Sequence, residues 1–484
     1  MPPAIALLLC TSYVLILLRV ERQASGGVSA VTWIPTIWFL SVCSKPMGSW
    51  FGTVGTNEAG SSYDQILLMG LTVAGLVVLV RRRNDWSGAL RGQVWLLALL
   101  AYMLASTLWS DITLISLRRW VREGIVVIMA LVIMSETSPR EALGSLLRRS
   151  AYLLIPFSLM LINYYPGLGR AYAPWSGEAM WIGVSLHKNG LGRVCVICVF
   201  FLLWALYRLW REPNRAGGRF RGGADISVLL IALYLLKGAE NAYSATSVGT
   251  IVVGLAGFLG LLGLRGLRLE VPRVGLLALV AVLIVFGTSQ PFMEGSGVAS
   301  FSSTLGRDKT LTGRTETWIE LVAVVKRQPV LGCGYGSFWT TARREFYRMS
   351  HGHNGYLDTL LELGVLGLAF YAAWLLSCAR RLHGVLTEDY GWAGLGIGVL
   401  LMALVYNVTE SALGSLNSEM TAVVVFVSLV SSEASAEPLR AVRRANFRLR
   451  APVPQQQFVG TATGQSGLPE NRKPLGPPRR ATTT

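Results

Sequence analysis

Long apolar segments separated by short polar connections make up most of this chain. The first covers residues 1–20. Twelve more follow, at 28–44, 63–80, 92–109, 120–136, 149–164, 190–209, 225–239, 247–264, 272–288, 355–378, 391–409 and 419–432. A helix needs about 20 mostly apolar residues to cross a bilayer, and the shortest segments are near the lower limit. The pattern predicts an all-α polytopic membrane protein with about 12–13 transmembrane helices.

The composition agrees with this class. Of 484 residues, 52% are hydrophobic and only 15% are charged, which excludes a soluble domain of this size. The net charge of +17 has two explanations that remain open, namely basic cytoplasmic loops or arginines that bind an anionic substrate. The six cysteines are scattered mostly inside apolar segments, so they predict neither a disulfide framework nor a zinc site.

Basic residues in the short connections predict the orientation of the helices. They cluster on alternate connections: at 81–83 with Arg91, at Arg140 with Arg148 and Arg149, from 208 to 221, at 265–273, and at 380–381. Cytoplasmic loops carry such an excess, so the N-terminus is expected outside and the C-terminus inside. Residues 1–20 are expected to be a retained helix rather than a signal peptide, because no basic leader or clear cleavage site is present.

Four regions follow from this orientation. Residues 1–288 form an N-terminal transmembrane bundle, and 289–354 form one large extracytoplasmic loop, which is too long to be a simple turn. Residues 355–432 form the C-terminal transmembrane helices. Residues 433–484 are rich in Pro, Arg, Gln and Thr and predict a disordered cytoplasmic tail.

The most informative stretch begins at His351 and runs into the apolar segment 355–378. Asn354, Asp358 and Glu362 recur every four residues and therefore lie on one face of a helix. A carboxylate such as Glu362 inside a membrane helix usually faces a cavity, a polar partner or a transport pathway. Asn354 is either a helix N-cap or a functional amide, whereas capping does not explain His353.

Polar clusters also occur elsewhere on the predicted outer face. Arg118, Arg119 and Arg122 lie beside Trp109 and Trp120, where either phosphate binding or headgroup anchoring accounts for them. The next cluster is His187, Lys188 and Asn189, at the start of the segment 190–209. Lys237 and Glu240 are close enough in sequence to pair.

Within the long loop, residues from Arg314 to Pro329 predict an amphipathic helix whose apolar face, with Trp318, Val322 and Val325, lies on the membrane. Glycines 332, 334 and 336 follow it. Such glycines let a backbone approach a substrate closely. A nucleotide site is not expected, because no strand–turn–helix pattern surrounds these glycines.

Several of these motifs resemble the O-antigen ligase and O-antigen polymerase family, most of all its exopolysaccharide-polymerase branch. They are the His353-Asn354 pair followed by Tyr356-Leu357 and Leu361-Glu362-Leu363-Gly364, the His187-Lys188-Asn189 element with Leu191-Gly192, Gly313-Arg314 with Trp318, and Leu108-Trp109-Ser110. One departure is Ala245, where many members have Arg or Lys between Ser244 and Thr246. The phosphate contact of that cation must then come from another residue, for which Lys237 is a candidate.

The resemblance implies a metal-independent, cofactor-free enzyme of the bacterial inner membrane with its active site on the extracytoplasmic face. It implies transfer of a glycan from undecaprenyl diphosphate to a hydroxyl of an acceptor glycan. His353 and Asn354 are the expected catalytic residues. The expected substrate-binding residues are Arg314, Arg118, Arg119, Arg122, His187, Lys188, Asn189, Lys237 and Glu362. A chain-length regulator is a further candidate partner, and no nucleic acid is expected.

Three functions remain open: a polymerase of lipid-linked repeat units, a ligase that moves finished glycan to lipid A core or protein, and a non-enzymatic flippase or transporter. Polymerase and ligase share every motif found here. A transporter would more often show two related halves with broken helices, and no internal symmetry is visible. His351 and His353 are also spaced as a metal pair, but Asp358 is the only nearby third ligand, so no metal site is expected.

Overall fold

The structure is a computed structural model of the chain. It describes residues 1–51, 61–82, 90, 92–172, 177–212, 218–239, 244–293, 314–412 and 414–434. These residues belong to one compact unit. The tail predicted at 433–484 lies outside the described residues beyond residue 434.

The described chain is almost entirely helical, with one short antiparallel hairpin. The helices are α1 (Pro3–Ala24), α2 (Trp33–Cys43), α3 (Met47–Trp50), α4 (Ser62–Arg82), α5 (Val94–Ser106), α6 (Thr113–Met134), α7 (Pro139–Tyr164), α8 (Pro166–Gly169), α9 (Lys188–Arg211), α10 (Gly218–Lys237), α11 (Ala245–Gly266), α12 (Arg273–Ser289), α13 (Arg314–Arg327), α14 (Thr341–Tyr347), α15 (Gly355–Val385), α16 (Tyr390–Thr409) and α17 (Glu419–Ala434). Strands β1 (Arg170–Tyr172) and β2 (Ala179–Trp181) pair between α8 and α9.

Each apolar segment predicted from the sequence coincides with one of these helices. Among the described residues, eight helices are long and apolar enough to cross a membrane: α1, α4, α7, α9, α11, α12, α15 and α16. Three shorter apolar helices are α2, α5 and α17. Helices α6 and α10 are 22 and 20 residues long but carry several charged residues near their N-termini. The prediction of an all-α polytopic membrane protein is confirmed.

The prediction that Arg148 and Arg149 lie in a connecting loop is wrong. Both residues lie inside α7, where they are buried. Arg148 forms a two-point ion pair with Asp225 of α10, with Nε 2.9 Å from Oδ1. Arg149 Nε donates to Glu21 of α1 at 2.9 Å. Buried guanidinium groups are tolerated only when carboxylates compensate them, and these partners lie far away in the sequence. That separation is why a loop was the simpler prediction.

Helix α15 is broken at Gly364, whose backbone (φ 64°, ψ −167°) is not helical. The segment 329–334 fills the break. Val365 N donates to the Pro329 carbonyl at 2.8 Å, and Gly334 N donates to the Glu362 carbonyl at 2.8 Å. Backbone groups inside a membrane bundle have to find protein partners, so the loop segment satisfies what the broken helix leaves open.

The amphipathic face predicted for α13 exists, but it does not lie on the membrane. Trp318, Leu321, Val322 and Val325 are buried against Leu357, Leu360 and Leu361 of α15, together with Phe338 and Trp339. An apolar face can be buried equally well by lipid or by a neighbouring helix. The spacing of its apolar residues therefore predicts that this face is buried, but it does not predict which surface covers it.

Candidate functional site

The two helix ends at the start of α15 and the end of α16 bring His353 and Glu410 together. His353 Nδ1 lies 3.3 Å from Glu410 Oε2. Glu410 is buried, whereas 21% of the His353 side chain is exposed, so a substrate can reach the ring. A carboxylate can only accept a hydrogen bond, so Nδ1 carries the proton and Nε2 is left as the basic nitrogen.

His353 also has an unusual backbone conformation, with φ 52°. The left-handed region is costly for a residue with a side chain and is frequent at functional sites, although histidine tolerates it better than most. Asp358 stabilises the turn before His353, because Gly352 N donates to its carboxylate at 3.0 Å. The Trp318 indole donates to the Gly352 carbonyl at 2.7 Å. The histidine is therefore held at a fixed position.

The start of α9 reaches the same carboxylate. Asn189 Nδ2 donates to Glu410 Oε1 at 2.6 Å, so the two oxygens of Glu410 contact two of the predicted site residues. Burial lowers the pKa of His187, the residue before this helix. Glu410 opposes that effect, while Arg193 and His353 add to it. His187, Asn189 and His353 thus lie together around Glu410.

His351 lies against His353, with ring centroids 4.2 Å apart. Its Nδ1 accepts a hydrogen bond from His353 N at 3.2 Å, and its Nε2 is 4.0 Å from Glu410 Oε2. The donor atoms of His351, His353 and Glu410 all lie within 4.8 Å of one another, a separation that a metal ion could bridge. Asp358 is the nearest third ligand in the sequence, whereas the structure places Glu410 beside the two histidines.

Asn354 is the N-cap of α15. Its Oδ1 accepts from Leu357 N at 2.9 Å, and its Nδ2 donates to the carbonyls of Gly287 and Val408 at 3.0 and 3.1 Å. The side chain is fully buried. Of the two roles left open by the sequence, capping is the one observed, and the amide also ties the ends of α12 and α16 to the site.

A second cluster lies about 12 Å further along α15, by the rise of 1.5 Å per residue. Glu362 Oε2 accepts from Gly336 N at 3.0 Å. Arg119 Nη1 donates to the Gly336 carbonyl oxygen. The polar partner predicted for Glu362 is therefore the backbone of the loop that follows α13.

The glycines of this loop approach other parts of the protein closely. Gly332, Gly334 and Gly336 all have positive φ. A Cβ at Gly332 would lie 2.5 Å from the Glu362 carbonyl carbon, and one at Gly336 would lie 2.8 Å from Arg119 Cδ. Glycine is needed here because two backbones and an arginine stem come into contact.

Not all of the predicted residues join these clusters. Arg118 is exposed, Arg122 is half-buried, and Lys237 is exposed at the end of α10. Lys188 follows His187 at the start of α9. Arg314 begins α13, but its side chain lies outside the described part of the chain, as does the whole of Glu240, the predicted partner of Lys237.

Residues 241–372 match the family model described as O-antigen ligase. This part of a multi-helix membrane protein is thus similar to the O-antigen ligase and polymerase family. Over 326 residues it is 27% identical to the exopolysaccharide production protein ExoQ of Rhizobium meliloti (strain 1021), an alignment that covers 64% of this chain and 70% of that protein. The family resemblance predicted from the motifs is confirmed.

The family match contains His353, Asn354, Arg314 and Glu362 but ends well before Glu410. Sequence reasoning also missed Glu410, although a carboxylate directly after a predicted membrane helix was a usable signal. It missed Arg193 as well, whose Nε lies 3.2 Å from Glu419 Oε2 and whose guanidinium stacks on Tyr406 at 5.5 Å. Arg193 lowers the pKa of His187, so it is a cation near the site. Position 245, where many family members have Arg or Lys, holds an alanine and supplies no such charge.

Proposed function

We propose that this chain is a glycosyltransferase that polymerises undecaprenyl-diphosphate-linked oligosaccharide repeat units into an exopolysaccharide or an O-antigen-like polysaccharide. The observation that carries the proposal is the His353–Glu410 pair, which presents a basic imidazole nitrogen at an accessible helix end. The name of the ExoQ relative favours exopolysaccharide as the product class. A flippase would have no need for an imidazole oriented by a carboxylate.

The proposed reaction needs one base and one anion-binding group. The acceptor hydroxyl gives its proton to His353 Nε2 while its oxygen attacks the anomeric carbon of the donor. The bond from that carbon to the diphosphate breaks, and undecaprenyl diphosphate leaves with the electron pair. Glu410 orients the ring and stabilises the imidazolium that forms.

Diphosphate is a good leaving group when its growing charge is neutralised. We assign that task to Arg314, which begins α13, and to Arg193 beside Glu410. Arg119, which is bound to the Gly336 carbonyl, shapes the loop between these helices, and Arg118, Arg122, Lys188 and Lys237 remain candidates for outer contacts with the carrier lipid. Asn354 acts by positioning His353.

The proposal is tested by reconstitution. Purified protein in liposomes that contain only undecaprenyl-diphosphate-linked repeat units is expected to form a ladder of longer lipid-linked glycans, without nucleotide sugar. A parallel reaction offers lipid A core as acceptor. Transfer to lipid A core without any ladder supports the ligase alternative. If the donor is consumed in neither reaction, that result contradicts the proposal of a glycosyltransferase.

We also propose that the His353 cluster faces the extracytoplasmic side of the inner membrane. Glu345 and Thr387 are exposed on either side of α15, so cysteines placed there report opposite sides. In an otherwise cysteine-free variant, Glu345→Cys is expected to react with a membrane-impermeant maleimide in intact spheroplasts, and Thr387→Cys only after lysis. Both variants must react after lysis. The reverse pattern would place the site in the cytoplasm.

A further inference from the structure

A cavity of about 180 Å³ lies at the far end of the bundle from His353. Its walls come from the end of α1, the first half of α7, the last turns of α9 and the start of α10. Helix α9 relates the two ends: Asn189 contacts Glu410, and Arg208 lines the cavity about 28 Å further along, by the rise of 1.5 Å per residue. The cavity is thus independent of the proposed active site.

Besides the carboxylate of Glu141, four arginines line this cavity: Arg140, Arg148, Arg208 and Arg221. Three of them have carboxylate partners. Arg140 Nη1 is 3.1 Å from Asp389 Oδ2, Arg148 binds Asp225, and Arg208 Nη2 is 3.6 Å from Glu212 Oε1. Arg208 also stacks on Trp204, with its guanidinium carbon 5.3 Å from the ring centroid.

Arg221 differs from the other three. Its Nε is buried and has no hydrogen-bond partner among the described residues. The carboxylate one turn away, Asp225, is already occupied, because Oδ1 accepts from Arg148 Nε and from the Tyr152 hydroxyl, and Oδ2 accepts from Arg148 Nη2. No acidic residue in the described part of the chain forms an ion pair with Arg221. A buried guanidinium donor without an acceptor is unfavourable, and an anion in the cavity would relieve that cost.

We propose that this cavity binds a phosphate group, with Arg221 as the principal ligand and Arg208 as a second cation. A guanidinium fork matches two phosphate oxygens, and such charge-assisted bonds are stronger than neutral ones. The Ser25 residue that lines the cavity adds a hydroxyl donor. A water molecule needs about 10–15 Å³ of such volume, so the cavity has room for a tetrahedral oxyanion with several waters.

The same chemistry is offered by two sources. One is the headgroup of an anionic phospholipid in the adjoining leaflet, where basic residues attract such lipids. The other is a soluble phosphate anion. Either source would place a phosphate group against Arg221. Supplying the lipid and the soluble anion in separate experiments distinguishes the two sources.

The experiment uses the full chain in nanodiscs of phosphatidylcholine, with the thermal unfolding temperature as readout. One series raises the fraction of phosphatidylglycerol. The other adds inorganic phosphate at constant ionic strength, balanced with chloride. We expect the unfolding temperature to rise in at least one series, and Arg221→Gln to raise the half-saturating amount of that anion about tenfold. Arg221→Lys keeps the charge but loses the guanidinium fork. Its half-saturating amount of anion is expected to lie between those of the unmodified protein and Arg221→Gln.

Arg211→Gln is the matched control. Arg211 is an exposed arginine at the same end of α9, bonded to Tyr207, and it does not line the cavity. Its half-saturating amount should equal that of the unmodified protein. If Arg221→Gln does not fold, Arg221→Lys gives the answer. The proposal is overturned if neither anion stabilises the unmodified protein. It is also overturned if the Arg221 variants have the same half-saturating amount as the unmodified protein, or if Arg211→Gln raises that amount as much as Arg221→Gln does.

Discussion

Polymer formation is expected to fall by at least about 100-fold when His353 is replaced by alanine, the usual loss for a missing general base. The measurement is the rate of glycan extension by purified protein with lipid-linked donor. Donor binding should persist, because the proposed cations and the α15 cap remain in place, and unextended donor should accumulate. His353→Asn provides a second test. Asparagine tolerates the left-handed backbone found at this position but cannot take up the proton.

The pair with Glu410 supplies a sharper criterion. Glu410→Gln alone is expected to slow extension about tenfold or more, yet to add little in the His353→Asn background, because residues that act as one unit lose their effect together. His351→Ala should be milder than His353→Ala. A normal rate in His353→Asn would refute the base. So would activity that disappears with a chelator and returns with zinc, since His351, His353 and Glu410 are close enough to share an ion.

The break in α15 should be the most sensitive structural position. Alanine at Gly364 would have to adopt φ 64° and ψ −167°, a conformation almost restricted to glycine, and its Cβ would lie 2.3 Å from the Val330 carbonyl oxygen. We expect Gly364→Ala to destabilise the protein by about 3 kcal/mol or more. Thermal unfolding in detergent and the yield of monodisperse protein measure this effect.

Gly384→Ala is the control within the same helix. No atom lies within 4 Å of a Cβ there, and an exposed helical glycine gains up to about 1 kcal/mol on replacement by alanine. Unfolding at the same or a higher temperature is therefore expected. If Gly364→Ala unfolds at the same temperature as Gly384→Ala, the loop at 329–334 does not depend on the break.

The sequence predicted helices well because lipid imposes a simple requirement on length and apolarity. It did not predict the non-local polar pairs. Arg148 and Arg149 looked like loop residues, since Asp225 and Glu21 are 77 and 128 residues away. The apolar face of α13 was predicted correctly, but the surface that covers it was not. Hydrophobic periodicity carries no information about what covers a helix.

The site was predictable where one motif holds its own geometry. The capping by Asn354 and the four-residue spacing from Asn354 to Glu362 are local, and both are observed. Glu410 lies 57 residues after His353, and only folding brings the two together. The insertion of the loop at 329–334 escaped prediction for a similar reason. Its glycines are as suitable for a ligand as for a broken helix, and the sequence does not distinguish these partners.

The buried ion pairs of α7 bear on how the chain enters the membrane during synthesis. Glu21 precedes α7, so Arg149 finds its partner already made when α7 leaves the ribosome. Arg148 has to wait for another 77 residues before Asp225 is synthesised. A lone arginine within a bilayer is expensive, which favours holding α7 near the headgroups or in the insertion machinery until α10 arrives. From the order of the two pairs along the chain, we expect α7 to take its final place in the bundle only after α10 has been made.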